Sequence, residues 1–451
     1  MQTMASDPTA IVLDLEEELR CLTSTPSQFS IFTVPQVLGN VNEKAYAPRL
    51  LSIGPYHHGK DQLWDFEKYK MSYLQRLLER RLDIPLSRYF AVMRELEETA
   101  RNCYGGSISL NQDEFVKMMI LDGCFIVEVF RKFRLEMEGR RHNDPALGQG
   151  NDPIFELSWV LPSIAQDMIL LENQLPFFVI WRLFSMTELP NSPSYESFLV
   201  TILRFFNGIL PGKGCRRDDV YRVNNYPINE IKHLVHLIHC NWLPSPAGVV
   251  AYELHSGTNN SHCNFICSAT EIQEAGIEFW KVEVDKDDDS LFDIKFENGV
   301  MKMPSLEIGD ATEIQNLISY EQCSQDLNLK HVIDYVELLK CLINSSKDAE
   351  LLRRCGIIEK LLGDDEAIVT LLKKLCDGVV LGEKFYYREV FNKVIYHCSR
   401  RRNKWMAKLR HDYFNTPWAI ISVLAALFLL LLTLLQSLFS VLSYYQQAHA
   451  Q

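Results

Sequence analysis

DEFVKMMILDGCFIVEVFRKFR, residues 113–134, is the stretch that decides the fold. Within it Phe115, Met118, Met119, Phe125, Ile126, Val129, Phe130 and Phe133 recur at the three- and four-residue intervals that lay side chains along one face of an α-helix. A stripe this apolar needs cover, so the helix belongs in the core of a helical body. Asp122 falls on the same stripe, seven residues after Phe115 and four before Ile126, where a carboxylate must be buried or line a cleft and needs a partner.

Helical spacing extends outward from there. It appears over residues 63–80, through Leu63, Phe66, Tyr73, Leu74, Leu77 and Leu78, and over 163–172, 176–184, 195–206, 228–240, 312–322, 330–343, 348–360, 365–376 and 385–408. One region changes period: IEFWKVEV (277–284) alternates, and LFDIKFENGVMKM (291–303) carries Asn298-Gly299, a dipeptide favoured in type I′ hairpins. A small antiparallel β-hairpin or sheet is expected at about 277–308. Residues 1–28 read as a flexible acidic tail containing a short helix at 11–22, and 139–152 as a polar loop.

Of the 451 residues, 47% are hydrophobic and 23% charged, which is globular composition with material for a large core. The net charge of -12 argues against a nucleic-acid partner, because phosphate binding needs a concentrated basic face. Asp14, Glu16, Glu17 and Glu18 stand where a signal peptide would be basic and then apolar, so none is expected. The twelve cysteines lack framework spacing and are read as reduced thiols.

WAIISVLAALFLLLLTLLQSLFSVL, residues 418–442, carries no charge over twenty-five positions and is expected to form one C-terminal transmembrane helix. Trp418, Leu424, Phe428, Leu431, Leu435 and Leu442 are its expected anchor residues in the lipid bilayer. Arg400, Arg401, Arg402, Lys404, Lys408 and Arg410 precede it and no charge follows, a bias that places the N-terminal body in the cytosol of a single-pass protein. The resulting division is a tail (1–28), a helical cytosolic domain (29–411), a juxtamembrane piece (412–417), the span (418–442) and a short tail (443–451).

Local motifs offer little chemistry. Asp285, Asp287 and Asp289 resemble a calcium loop, but Ser290 stands where the turn needs Gly and Phe296 where a bidentate Glu belongs. The glycines from Gly208 to Gly214 make a loop one residue short of a phosphate-binding loop and lack the following Ser/Thr. His233, His236 and His239, with His262, Cys263 and Cys267 downstream, lack a second well-spaced ligand pair, so no metal and no small-molecule cofactor is expected. Asp122, with Asp167 or Glu172, is the acid–base candidate. The turn at His57-His58 is another. The structural alternative is that Asp122 accepts hydrogen bonds while Glu172, Asn173 and Gln174 lock a helix end, and no catalytic residue is assigned.

Six segments carry a resemblance: IFTVPQVLGNVNEKAYAPRLLSIGPYHHGK (31–60), MILDGCFIVEVF (119–130), DMILLENQLPFFV (167–179), SATEIQEAGIEFW (268–280), DIKFENGVMKMPSLEI (293–308) and NKWMAKLRHDYFNTPWAIIS (403–422). On these the chain resembles the plant-specific "domain of unknown function 247" (UPF0481-like) family from about residue 29 onward. The resemblance implies a single-span plant membrane protein without an established enzymatic activity. Some grass members are implicated in pollen-side self-incompatibility, which implies a recognition role by analogy.

Together these readings predict a mostly α protein: a large helical domain with a small antiparallel β element and one C-terminal transmembrane helix. The expected function is a non-enzymatic, membrane-anchored scaffold for protein–protein recognition or signalling, with a hydrolase or transferase using buried acids as the alternative.

Overall fold

In the computed structural model Asn111 starts the helix on which the rest is assembled. Its side chain accepts from the Glu114 backbone N–H at 3.0 Å, and the Glu114 carboxylate accepts from the Asn111 N–H at 3.0 Å, a reciprocal cap that sets the first turn. The structure describes residues 29–139, 152–188, 195–210, 227–242, 244, 266–282, 290–309, 311–324, 330–360, 364–382, 384–400 and 417–448.

The longer helices of the first half are α1 (Trp64–Arg80), α2 (Leu86–Arg101), α3 (Gln112–Met137), α4 (Val160–Met168), α5 (Phe177–Thr187) and α6 (Tyr195–Phe206). Around α3 pack α1, α2, α5 and α6, so every residue from Met118 to Lys132 is buried and the single stripe becomes burial on all sides. Phe130 meets the rings of Phe198, Phe205 and Phe206 edge-on, with centroids 6.1, 5.1 and 6.3 Å away. The sequence reading passed over α2, although Tyr89, Val92, Met93 and Ala100 are buried at helical spacing along it.

In the second half follow α7 (Leu234–Asn241), α8 (Ala269–Glu274), strands β1 (Glu278–Val282), β2 (Lys295–Glu297), β3 (Val300–Pro304) and β4 (Leu306–Ile308), and α9 (Thr312–Cys323). Then come α10 (His331–Leu342), α11 (Ser346–Arg354), strand β5 (Ile358–Lys360), α12 (Asp365–Cys376), α13 (Arg388–Ser399) and α14 (Pro417–Ala448). The hairpin forms where expected: Asn298 and Gly299 take φ of 52° and 81° and return β3 antiparallel to β2.

The sheet is not purely antiparallel. Strand order is β1-β3-β2, with β3 coming back between the other two and running parallel to β1. A second parallel pair joins β4 to β5, where helix had been expected up to residue 360; Gly356, at φ 73°, ends that helix. Helix α7 likewise begins at Leu234 rather than 228, with His233 as its cap.

The membrane expectation is corrected. Among the described residues no helix is long and apolar enough to cross a membrane. Crossing a hydrocarbon layer of about 30 Å takes about 20 consecutive apolar residues in one helix. The transmembrane helix, single-pass topology and cytosol-facing membrane location, with Trp418, Leu424, Phe428, Leu431, Leu435 and Leu442 as anchors, are therefore set aside. Arg401, Arg402, Lys404, Lys408 and Arg410 lie outside the described residues, as do the N-terminal tail, the acidic loop at 285–289, and His262 and Cys263. Arg400 lies 4.8 Å over the Tyr396 ring and donates to its hydroxyl at 2.7 Å.

Gly123 marks how closely α3 and α5 approach, since a Cβ there would stand 2.3 Å from the Leu183 Cδ1. Gly123→Val should cost about 1–3 kcal/mol through overpacking, read as a lower urea midpoint at unchanged slope. An unmoved midpoint would mean that α5 is not seated against α3.

Candidate functional site

Residues 51–54 are buried outside any helix or strand, so their backbone groups need partners from side chains. Asp167, near the end of α4, supplies several. Its Oδ1 accepts from the Arg49 N–H at 2.9 Å, and its Oδ2 from the Leu50 and Leu51 N–H groups at 2.7 and 2.8 Å. Asn173 continues the stitching: its Oδ1 accepts from the Ile53 N–H at 2.6 Å, while its Nδ2 donates to the Leu51 and Asp167 carbonyls at 2.9 and 2.8 Å. Gln174 Nε2 donates to the Met168 and Leu170 carbonyls at 2.7 and 2.8 Å, closing the turn between α4 and α5.

Asp122 completes the arrangement from α3. Its Oδ2 accepts from the Gly54 N–H at 2.9 Å and its Oδ1 from the Lys70 ammonium at 2.6 Å. Lys70, on α1, has no exposed surface and also donates to the Ser52 carbonyl at 2.6 Å and to Glu67 Oε1 at 2.5 Å. Burial pushes the Asp122 carboxyl upward while Lys70 draws it back; burial likewise raises Asp167 against its three N–H donors. Gly54 is required at its position, because its φ is 73° and a Cβ would lie 2.4 Å from the Gln174 carbonyl oxygen.

The candidate residues thus separate into two places. Asp122 turns to Lys70 and Asp167 to residues 49–51, whereas Glu172 meets His57. Glu172 Oε1 accepts from the Val34 N–H at 2.8 Å, and its Oε2 lies 3.5 Å from His57 Nε2. Lys60 can only donate, so its 2.7 Å contact makes His57 Nδ1 the acceptor and leaves a neutral ring's proton on Nε2, facing Glu172. Burial, reinforced by Lys60, lowers the His57 pKa to about 4. His58 Nδ1 is buried without a partner among the described residues.

Lys70 and Ser52 escaped the sequence reading. The signal for Lys70 was present: it stands four residues after Phe66 and three before Tyr73, on the buried face of α1. Ser52 Oγ lies 3.2 Å from Lys70 Nζ, but a serine–lysine nucleophile needs a neutral amine, and this ammonium sits against two carboxylates.

The histidines read against zinc have separate partners. His233 Nδ1 accepts from the His236 N–H at 3.3 Å, His236 Nδ1 accepts from the Lys232 N–H at 3.0 Å, and His239 Nε2 lies 2.8 Å from Glu321 Oε1. Glu321, fully buried, also caps α10 by accepting from the Val332 and Ile333 N–H groups at 3.0 and 2.9 Å. Beside it, burial lowers the His331 pKa to about 4 and raises that of Asp334 to about 8. Asp334 Oδ2 accepts from the Tyr386 N–H at 2.7 Å, and its Oδ1 has no hydrogen-bond partner among the described residues.

Comparison with known proteins gives a family but no template. A family model described as DUF247, a plant protein of unknown function, matches residues 31–432. A UPF0481 protein of Arabidopsis thaliana is 30% identical over 434 residues, covering 92% of this chain and 86% of its own length. A putative UPF0481 protein of the same plant is 21% identical over 492 residues, covering 90% and 89%. No solved structure gives a significant match.

Lys70→Met should cost about 3–5 kcal/mol by stranding buried carboxylates, and adding Asp122→Leu should recover part of that loss. Denaturation midpoints of the two single variants and the double variant measure it; additive losses would mean that the two charges are not coupled.

Asp334 gives a pH dependence. With its pKa raised from 3.8 to about 8, the carboxyl keeps its proton in the fold while the unfolded chain releases it. Its contribution is full below the lower value and is lost as pH rises through the window, at up to about 1.4 kcal/mol per pH unit. His331, lowered from 6.5 to about 4, acts in the opposite sense and loses its contribution as pH falls. Asp334→Asn should therefore flatten the alkaline decline in melting temperature between pH 5 and 8; an unchanged profile excludes this carboxyl as its source.

Proposed function

Because the chain belongs to the DUF247 family of plant proteins of unknown function, we propose that it is a non-enzymatic protein whose role is recognition or scaffolding of other proteins. The observation that carries this reading is the commitment of its candidate acids. Asp122 and Asp167 spend their oxygens on backbone N–H groups and an ammonium, in a region almost without solvent. A general acid or base needs a reacting atom within reach, and these carboxylates have their reach occupied. Large side chains stand in water instead: Trp64, Trp159 and Trp280 are 63%, 57% and 54% exposed. Tryptophan is the residue most enriched among those that dominate binding energy at protein interfaces.

The hydrolase or transferase alternative draws on a single feature, the His57 Nε2 proton facing Glu172 at 3.5 Å. His57 is 4% exposed, so a substrate has little access to it.

Immobilised full-length chain, incubated with extract of the native plant tissue, should retain specific proteins. Trp64→Ala, Trp159→Ala and Trp280→Ala together should reduce their recovery about tenfold or more. Retention of the same proteins at the same level by the triple variant would remove these three side chains from the proposal. Turnover of an ester or phosphoester that disappears in Glu172→Gln would overturn the non-enzymatic reading.

A further inference from the structure

The cavity between the start of α2 and the end of α5 takes no part in the network described above. It measures about 730 Å³ and is lined by Asp83, Ile84, Pro85, Ser87, Arg88, Ala91, Val92, Arg182, Ser185 and Met186. Its charges are unevenly committed. Asp83 is held by Arg81 through two parallel hydrogen bonds of 2.9 Å, so its charge is already matched. The guanidinium groups of Arg88 and Arg182 have neither an ion pair nor a hydrogen bond among the described residues.

We propose that this cavity binds a small organic phosphate monoester, with Arg88 and Arg182 gripping the phosphate and Ile84, Val92 and Met186 packing against the organic part. Two unpaired guanidinium forks match the several oxygens of a phosphate dianion better than a single carboxylate. Ser87 lines the same wall and can donate its hydroxyl to a phosphate oxygen, whereas the Ser185 hydroxyl is already committed to the Arg182 carbonyl at 2.8 Å. Helix α2 starts at Leu86 without a side-chain cap, and Pro85, Ser87 and Arg88 at that start line the same space. The depression leaves room beside the phosphate for an organic group against Ile84, Val92 and Met186.

The inference does not depend on the recognition role. Titration calorimetry on the full chain, using phenyl phosphate, inorganic phosphate and phenol as probes, tests it. Phenyl phosphate should bind saturably, inorganic phosphate more weakly, and phenol without saturation. Arg88→Gln and Arg182→Gln, both at exposed positions, should each weaken phenyl phosphate about tenfold or more while leaving the melting temperature unchanged. Absence of saturable phenyl phosphate binding, or equal affinity in both variants, overturns the proposal. Inorganic phosphate binding as tightly as phenyl phosphate would overturn the part assigned to Ile84, Val92 and Met186.

Discussion

A chain segment that is buried without being helix or strand must still find partners for its backbone polar groups, and residues 51–54 impose that demand on everything around them. Asp167 meets it from the last turn of α4, Asn173 from the turn that follows, Asp122 from α3 and Lys70 from α1. Each such bond contributes about 1 kcal/mol net, but a buried group left without its partner costs about 1–3 kcal/mol. The network is therefore felt mainly when it is incomplete. That asymmetry ties α1, α3 and the α4–α5 turn to one arrangement, because moving any of them leaves a polar atom stranded.

The same asymmetry explains how a carboxylate and an ammonium come to lie at the centre of an apolar helix cluster. Exchanging a buried pair for well-packed apolar residues is often neutral, so Asp122 and Lys70 are weak as stabilisers. They act as discriminators. Around them α3 could slide or rotate against α1 and still bury similar apolar area, since residues 118–132 are buried on every side. Only one placement brings the Asp122 oxygens to both Lys70 Nζ and the Gly54 N–H, and Gly54 allows it because the Gln174 carbonyl leaves no room for a Cβ.

How much of this the sequence disclosed depended on distance along the chain. The hydrophobic period gave α3, and the Asn298-Gly299 turn gave the β2–β3 hairpin, because both signals are local. Placing Asp122 on the apolar stripe showed that it would be buried and need a partner. Nothing nearby identified Lys70, 52 residues away, although its own place on the buried face of α1 hinted at it. Pairing of β1 with β3, and of β4 with β5, joins segments whose partners no local pattern names, so the parallel strands went unread and β5 was taken for the end of a helix. Glu172 was grouped with Asp122 because both sit in apolar surroundings. Their separation, one to His57 and the other to Lys70, is tertiary information.

The buried charges and those around the α2–α5 cavity obey different rules. Lys132 is paired with Asp152 at 2.6 Å and lies 3.9 Å from the centre of the Tyr73 ring, while Arg80 and Arg131 share Glu128. Dehydration forces such pairing, so those residues are accounted for by folding alone. Arg88 and Arg182 are hydrated, and the fold would stand with most other polar residues in their place. Two long side chains held near one concavity, beside an uncapped helix start, are thus a feature that stability does not require. The phosphate site proposed above would account for them.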